Sequence, residues 1–517
     1  MQIIDAAAPV GRWLGQTAAI AAVLLTAAQA QAADERPQLT VAVQELPDSL
    51  EPVMKTRTSS FQMVPSFTDF LIRTDYRDNF RKEPGLATEW RRIDERTLEV
   101  DLRPGVVMHD GRTMTAEDVA FSFGPERVSS EDAPAYGPSR AYLKTIERVD
   151  VVDEDTVRFI TTKPDPVLIS RLSAWMSQVV SKEAFQVAES FSDWERAVVS
   201  TGPYKVETFK PKEELLLTSH DAYWGGKPPY SAIRYVEVPE QSARIAGLVA
   251  GDFDIITDVD PDQIELVESY GDLEIAGGNS IMTRSIRFGT NHPVLADPRI
   301  RQALSLAIDR KAIVDSLWGG RVDLTNGFQF PYYGDLYIGE HKGSVYDPEK
   351  AKELMAEAGY NGDAIPYLVL EHWYPVELPT SEVIAAMWEA VGFNIDMQVQ
   401  AGWDTILIDD PAFIHNGATL MNIPDPVGGV WRVYGKDSSI DRRNQWRNEE
   451  FNQLGEQLES SLDPEVRRDV FKRMLEIIDW EDIPATELHV RGAFYGKRAY
   501  IDWTPTPAPF LDFGPAR

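Results

Sequence analysis

Apolar and polar residues alternate in short runs through the first part of the chain. Leu39 to Val43 predicts a first strand, and Leu98-Glu-Val-Asp-Leu102 and Val157-Arg-Phe-Ile160 keep the two-residue strand period. Each of the latter two follows a polar turn, Asp94-Glu-Arg-Thr97 and Asp153-Glu-Asp-Thr156. Further on the period lengthens to that of amphipathic helices whose ends are signed. Asp297-Pro298, Asp347-Pro348 and Asp463-Pro464 each set a capping carboxylate before a proline at the first helical position. The first start predicts an apolar stripe of Ile300, Leu304, Ala307, Ile308 and Leu317 ending at Gly319. The second buries Leu354, Met355 and Ala358 before Gly359, and the third carries Val466, Val470, Phe471, Met474, Ile477 and Ile478 towards Pro484.

Strand and helix also alternate as a unit. A strand from Tyr367 to Leu370, a helix from about Ser381 to Val391 stopped by Gly392, and a strand from Phe393 to Val399 predict a βαβ crossover, hence a parallel sheet covered by helices. Gln241 to Ala250, capped by Gly251 and followed by Asp252 to Ile256, predicts a second helix-to-strand switch. The fold class is α/β or mixed α+β, in more than one lobe. At the N-terminus, Arg12 precedes an apolar run from Ala18 to Ala28, and Ala28-Gln29-Ala30-Gln31-Ala32 offers small residues at alternate positions. Residues 1–32 are expected to be a cleaved signal peptide, because the run is about half the length a membrane span needs.

Charge and composition then narrow the chemistry. The chain has 517 residues, with 82 acidic against 51 basic ones and a net charge of −31. Such a surface repels phosphate backbones, and no basic stripe offsets it, so nucleic acid is excluded as a partner. The chain has no cysteine, which removes disulfides, thiolate nucleophiles and cysteine-type metal sites. The Gly-Lys pairs at Gly226, Gly435 and Gly496 are followed by Pro228, Asp437 and Arg498, so none is a phosphate loop. No dinucleotide fingerprint and no nucleophile elbow occur. The seven histidines stand singly, with no pair one helical turn apart to hold zinc. No catalytic residue, metal site or cofactor is implied.

One set of motifs is more specific. Leu86-Ala-Thr-Glu-Trp90, Asp101-Leu-Arg-Pro-Gly-Val-Val-Met-His-Asp-Gly111 and Thr115-Ala-Glu-Asp-Val-Ala-Phe-Ser122 resemble the signature of the family 5 extracellular solute-binding proteins. These include the dipeptide-, oligopeptide- and nickel-binding proteins of ABC importers. Matching pieces continue in the same order through Thr201-Gly-Pro-Tyr-Lys205, Tyr223-Trp-Gly-Gly-Lys227, Asp297-Pro-Arg-Ile-Arg-Gln-Ala303 and Tyr346-Asp-Pro-Glu-Lys-Ala351, within residues 38 to 510. Most have plain structural readings: Thr115 caps a helix, Gly105 and Gly111 form turns, His109-Asp110 sits in a turn, and Arg301 and Arg310 hold helix surfaces.

The resemblance implies a two-lobed periplasmic binding protein of the class II type, with a hinge cleft and an extra domain inserted in lobe I. Lobe I is expected at 38–58, 185–285 and 486–517, the insertion at 59–184 and lobe II at 286–485. It implies a monomer that does no chemistry, closes over a solute and docks on a membrane permease. Expected ligand-binding residues are Arg284 on the crossover strand, Trp373 and Trp403 at the ends of the βαβ unit, and Tyr142 and Trp175 in the insertion. Peptide-binding relatives place an ammonium-capturing aspartate three residues before an acidic-Pro pair. Aligning that pair with Asp425-Pro426 puts Asn422 there instead, with Asp425 as a substitute acid. A peptide or peptide-like solute is therefore expected, with a carbohydrate-like or opine-like solute as the alternative. A secreted hydrolase is the competing class.

Overall fold

The computed structural model describes residues 34–54, 62–370, 374–421 and 423–515. Among the described residues the strands are, in chain order, β1 (Gln38–Val43), β2 (Ile72–Asp75), β3 (Arg81–Pro84), β4 (Ala87–Arg92), β5 (Thr97–Leu102), β6 (Ile146–Asp153), β7 (Thr156–Thr161) and β8 (Tyr204–Lys210). They continue with β9 (Glu214–Ser219), β10 (Ala232–Glu237), β11 (Ile255–Ile256), β12 (Leu273–Phe288), β13 (Ile365–Leu370), β14 (Ile395–Gln400), β15 (Ile414–Leu420) and β16 (Ala485–Arg498).

Ten strands form one sheet in the order β14-β13-β15-β12-β16-β11-β1-β10-β9-β8. Its centre is the antiparallel pair β12–β16, which runs from Leu273 opposite Arg498 to Arg287 opposite Ala485. On one side of this pair lie strands from residues 365–420, and on the other lie strands from 38–256. The chain therefore builds one half, crosses on β12, builds a second half and returns on β16. The burial of β12 follows that path. Its first residues are largely wet, while Ser280 to Ile286 are buried, because the second half covers both sheet faces there.

Local signals place most elements. β13 and β14 pair in parallel around the helix Glu377–Val391, as the βαβ pattern predicts, and β1 lies parallel to both β10 and β11. Thr115 and Asp118 form a reciprocal capping box at Ala116–Ser122, with the Thr115 N–H donating to Asp118 Oδ2 at 2.9 Å. Arg301 and Arg310 do hold surfaces together: Arg301 donates to the Ile483 carbonyl at 2.7 Å, and Arg310 donates to the Glu487 carbonyl at 2.7 Å.

Three expectations need correction. The stripe after Asp297-Pro298 is two helices, Pro298–Leu306 and Arg310–Leu317, because Asp309 accepts from the Ala312 N–H and starts a new one. The helix expected from Ser381 begins at Glu377, one turn earlier, after Val376 in a left-handed conformation. The strand expected over 252–256 shrinks to Ile255–Ile256.

Between β1 and β8 the chain leaves the large sheet and makes the hairpin β2–β3 and a four-stranded sheet β4-β5-β7-β6. This piece packs against residues 328–478 in one apolar cluster that holds Val100, Phe159 and Trp175 together with Tyr333, Trp431 and Phe471. Lys163 and Arg171 from the inserted piece reach Glu459 at 2.8 and 3.2 Å, and Phe80 meets Tyr332 with ring centroids 4.5 Å apart. The two halves are thus in contact along a seam opposite the crossover strands.

Candidate functional site

A sheet strand sends alternate side chains to opposite faces, so Thr283, Ser285 and Arg287 of β12 share one face. The register adds Thr419 opposite Thr283 and Gly417 opposite Ser285 from β15, and Glu487 opposite Ser285 from β16. Tyr434 covers this face, with its ring centroid 6.0 Å from the Arg287 guanidinium carbon. Six buried polar atoms here have no hydrogen-bond partner: Thr283 Oγ1, Ser285 Oγ, Arg287 Nε, Thr419 Oγ1, Tyr434 OH and Glu487 Oε2. Each such atom costs about 1–3 kcal/mol. Five of them stand on three adjoining strands and Tyr434 OH on the helical turn Arg432–Tyr434 above, a buried polar floor.

The floor holds ionisable groups as well as hydroxyls. Neither Arg287 nor Glu487 makes an ion pair with a described residue. Burial raises the Glu487 carboxyl to about 8, outweighing Thr283, Arg287 and Arg284 beside it, and Asp479 adds to the rise. Arg287 lies flat across Gly417, where a Cβ would stand 2.5 Å from its Nε. Glycine is what lets the guanidinium cross that strand. His415, opposite Arg287, is held low at about 4, first by burial and then by the Arg287 charge, so it is neutral.

On the opposite face of the same strand Arg284 and Asn416 are tied to one acid, while Arg491 Nε nearby is unpartnered. Arg284 pairs with Glu377, donates to the Gly417 carbonyl at 3.0 Å and lies 3.6 Å from the Tyr374 ring centroid. Asn416 donates to Glu377 and, at 2.8 Å, to Ser381 Oγ. The charge of Arg284 is thus shared with Glu377. A different placement also holds for Asp425, whose two oxygens accept from Arg467 at 2.8 and 2.9 Å while Oδ1 accepts from the Val427 N–H at 2.9 Å. Three of the roughly four acceptor positions of this buried acid are thus occupied from within the protein.

Tyr142 and Trp175 meet edge to face at 5.7 Å, both almost fully buried, and Trp175 Nε1 donates to the Pro52 carbonyl at 2.7 Å. Tyr142 also touches the other half, with the Arg432 guanidinium 5.2 Å from its ring centroid. They back the seam and do not stand on the floor. Trp373, Asn422 and the expected signal segment lie outside the described residues, as does the side chain of Trp403, whose backbone opens the turn Trp403–Thr405. The sequence reading missed Thr283, Ser285, Arg287, Thr419, Tyr434 and Glu487. For Thr283, Ser285 and Arg287 the only sequence signal is the run of polar residues in the second half of a strand expected to be buried; Thr419, Tyr434 and Glu487 carry none.

An open groove of about 930 Å³ lies on the first half, lined by Asp69, Arg73, Tyr76, Arg77, Trp503 and Phe510 among others. It contains none of the floor residues. An aromatic file does join the two regions: Phe510 to Tyr76 at 5.7 Å, Tyr76 to Phe80 at 5.3 Å, Phe80 to Tyr332 at 4.5 Å and Tyr332 to Tyr333 at 6.2 Å. Among the described residues no group of three or more histidines and acids could hold a metal ion, and no helix is long and apolar enough to cross a membrane.

Comparison with known proteins gives consistent matches. The sequence profile of bacterial extracellular solute-binding proteins, family 5 Middle, matches residues 82–440. The dipeptide-binding protein of Escherichia coli K12 is 27% identical over 331 residues, which is 60% of this chain and 62% of that protein. The match therefore spans about three fifths of that relative's length. The crystal structure of a dipeptide-binding protein from Pseudoalteromonas sp. SM9913 in complex with Met-Leu superposes with a TM-score of 0.81 at 19% identity, over 91% of this chain and 98% of that one. The binding protein AgaA from A. tumefaciens R10, in complex with agropinic acid, gives 0.77 at 22% identity over 92% and 96%. At these identities the superpositions establish the fold, a two-lobed periplasmic binding protein with mixed α/β lobes.

Proposed function

Because the chain belongs to the bacterial extracellular solute-binding proteins of family 5, we propose that it captures a peptide or peptide-like solute between its lobes and delivers it to the membrane permease of an ABC importer. The observation that carries this reading is the polar floor, four of whose six unpartnered atoms sit on β12 and β16 where these strands cross between the halves. A solute that supplies the missing hydrogen bonds repays their desolvation only when closure excludes water. Closure by hinge motion about two crossover strands suits this task.

Lobe I takes 38–58, 185–285 and 486–517, the insertion 59–184 and lobe II 286–485. Export to the periplasm follows cleavage after residue 32, and the protein works as a monomer. Of the expected ligand-binding residues, Trp373, Trp403 and Asn422 are taken to contact the solute, with Arg284, Tyr142, Trp175 and Asp425 completing the set. The reading gains support from the dipeptide named in the Escherichia coli relative and in the Pseudoalteromonas complex. The four hydroxyls of Thr283, Ser285, Thr419 and Tyr434 favour a second reading, a carbohydrate-like or opine-like solute, and AgaA was crystallised with agropinic acid.

Native mass spectrometry of the mature protein, followed by identification of the small molecule released on denaturation, tests both. A ladder of short peptides supports the first reading. A single sugar or opine mass replaces it with the second, and turnover of an added peptide or glycoside refutes the binding role itself.

A further inference from the structure

The groove of about 930 Å³ on the first half has no part in the polar floor. Its lining residues Gln38, Tyr230 and Asp254 stand at or just before the first residues of β1, β10 and β11. An α/β sheet takes its ligand at the carboxyl ends of its parallel strands, so this groove opens at the opposite end of the same half.

Its charges do not cancel. Six acidic residues against three arginines line it. Arg73 pairs with Asp69 at 3.1 Å, and Arg81 pairs with Glu83 at 2.8 Å and Asp75 at 3.5 Å, so two arginines answer three acids. Arg77 is exposed and donates to the Thr504 carbonyl at 2.6 Å. On the other wall are Asp254, Asp502 and Asp512, and neither Asp254 nor Asp502 makes an ion pair with a described residue. Arg498, whose charge reaches Tyr500, is itself paired with Asp272 at 3.0 Å.

Aromatic rings stand beside these acids. Tyr500 is 71% exposed, yet it is held: its hydroxyl donates to Asp254 Oδ1 at 2.7 Å, while Asp254 Oδ2 accepts from the Thr40 N–H at 2.8 Å. Tyr230 is half-buried, and after burial itself the charges of Asp254 and Asp502 raise its hydroxyl, which places both acids near that ring. Trp503 and Phe510, both buried, supply apolar surface to the same groove. A carboxylate beside an aromatic face attracts a cation twice, through its charge and through the ring quadrupole. A hard metal ion needs several converging oxygens, and no such group occurs among the described residues. An anion meets three acids. The combination suits a cation with an apolar stem.

We propose that this groove is a second binding site, separate from solute capture, for an aliphatic amine. Its ammonium lies against Asp254 and Asp502 and the rings of Tyr500 and Tyr230, and its methylene stem runs along Trp503 and Phe510.

The test is calorimetric titration of the mature protein with three probes: 1,5-diaminopentane, 1,5-pentanediol and magnesium chloride. The diol keeps the stem without the charge, and magnesium keeps the charge without the stem. The expected result is binding by the diamine and at least about tenfold weaker binding by either control. Raising sodium chloride from about 50 to about 500 mM should weaken the diamine by about threefold or more, because the acids are partly exposed. Asp502→Asn and Tyr500→Ala each weaken it by about three- to fivefold, and Tyr500→Phe, which keeps the ring, retains most of the binding. Positions 500 and 502 are exposed, so these variants keep the fold. Equal binding of diol and diamine, diamine binding that Asp502→Asn and Tyr500→Ala both leave intact, or no binding of the diamine overturns the proposal.

Discussion

Arg171 and Glu459 lie 288 positions apart in the chain, yet their side chains meet at 3.2 Å with 1% and 2% of their surface exposed. Lys144 and Lys163 approach the same carboxylate at 3.3 and 2.8 Å, and Asp165 accepts from Arg171 at 2.8 Å. Burial alone would raise Glu459, but Arg171, Lys144 and Lys163 outweigh it and hold it at about 2. All three cations come from the inserted piece and Glu459 from a helix of the other half, so this hub forms only when the seam is shut.

Glu459→Gln should therefore open the protein. It removes the shared counter-charge of three cations, two of which are about one-third exposed and partly screened. We expect solute affinity to fall by about 10- to 100-fold, equivalent to about 1.4–3 kcal/mol. Small-angle scattering of the solute-loaded variant should show a larger radius of gyration than the parent. An unchanged affinity and radius would mean the seam is permanent packing. Because the Glu459 pKa is depressed, its contribution is fully present above its unfolded value of about 4.3 and is lost as pH falls towards 2.

Opening at the seam should also follow from Phe80. Asn79 and Phe80 both have positive φ, 47° and 60°, at the tip of the β2–β3 hairpin, a conformation bulky residues rarely adopt. The strain places a ring that is 5% exposed between Tyr76 and Tyr332, on the opposite side of the seam. Phe80→Ala removes both contacts and about 3–5 kcal/mol of burial and packing in the closed state. Stopped-flow release should accelerate by at least about tenfold with little change in the association rate. Slower association at an unchanged release rate would place Phe80 on the entry path instead.

What the sequence made legible was local. Asp297, Asp347 and Asp463 each accept from the backbone N–H groups of the helix they precede, because capping needs only neighbours in the chain. Asp309 obeys the same rule but was masked by the apolar stripe running through Ala307 and Ile308. The floor is different in kind: Glu487 is one of 82 acidic residues, and its isolation depends on which strand lies beside it and what fails to reach it. For the same reason Trp175 and Tyr142 read equally well as cleft wall or core, since a large aromatic carries no mark of which surface it meets. Arg284 was correctly placed on the crossover strand, but its partner Glu377 lies 93 positions away.

Stability without solute should fall with rising pH across a window set by Glu487. Its carboxyl is raised to about 8 in the folded state and titrates near 4.3 when unfolded. Between these values the folded chain binds more protons than the unfolded one, so the stability it contributes is fully present below the unfolded value and is lost as pH rises through about 8. Glu487→Gln should flatten this slope in chemical denaturation from about pH 5 to 8 and be the more stable protein at the upper end. A parent slope that Glu487→Gln leaves intact would assign the pH dependence to other buried acids such as Asp479, which burial also raises.

Asp425 separates a structural acid from a ligand-binding one. Its bidentate pair with Arg467 is buried, with 10% and 9% of the two side chains exposed. Removing one partner of such a pair strands the other charge, at about 3–5 kcal/mol, whereas replacing both by apolar residues of similar volume is close to neutral. Asp425→Asn should therefore lower the melting temperature sharply, and so should Arg467→Met, while the double variant Asp425→Leu/Arg467→Met recovers most of the loss. Solute affinity of the double variant, measured well below its melting temperature, should stay within about threefold of the parent. If folding recovers but affinity for the solute is lost by about a hundredfold, Asp425 touches the solute and is more than a structural acid.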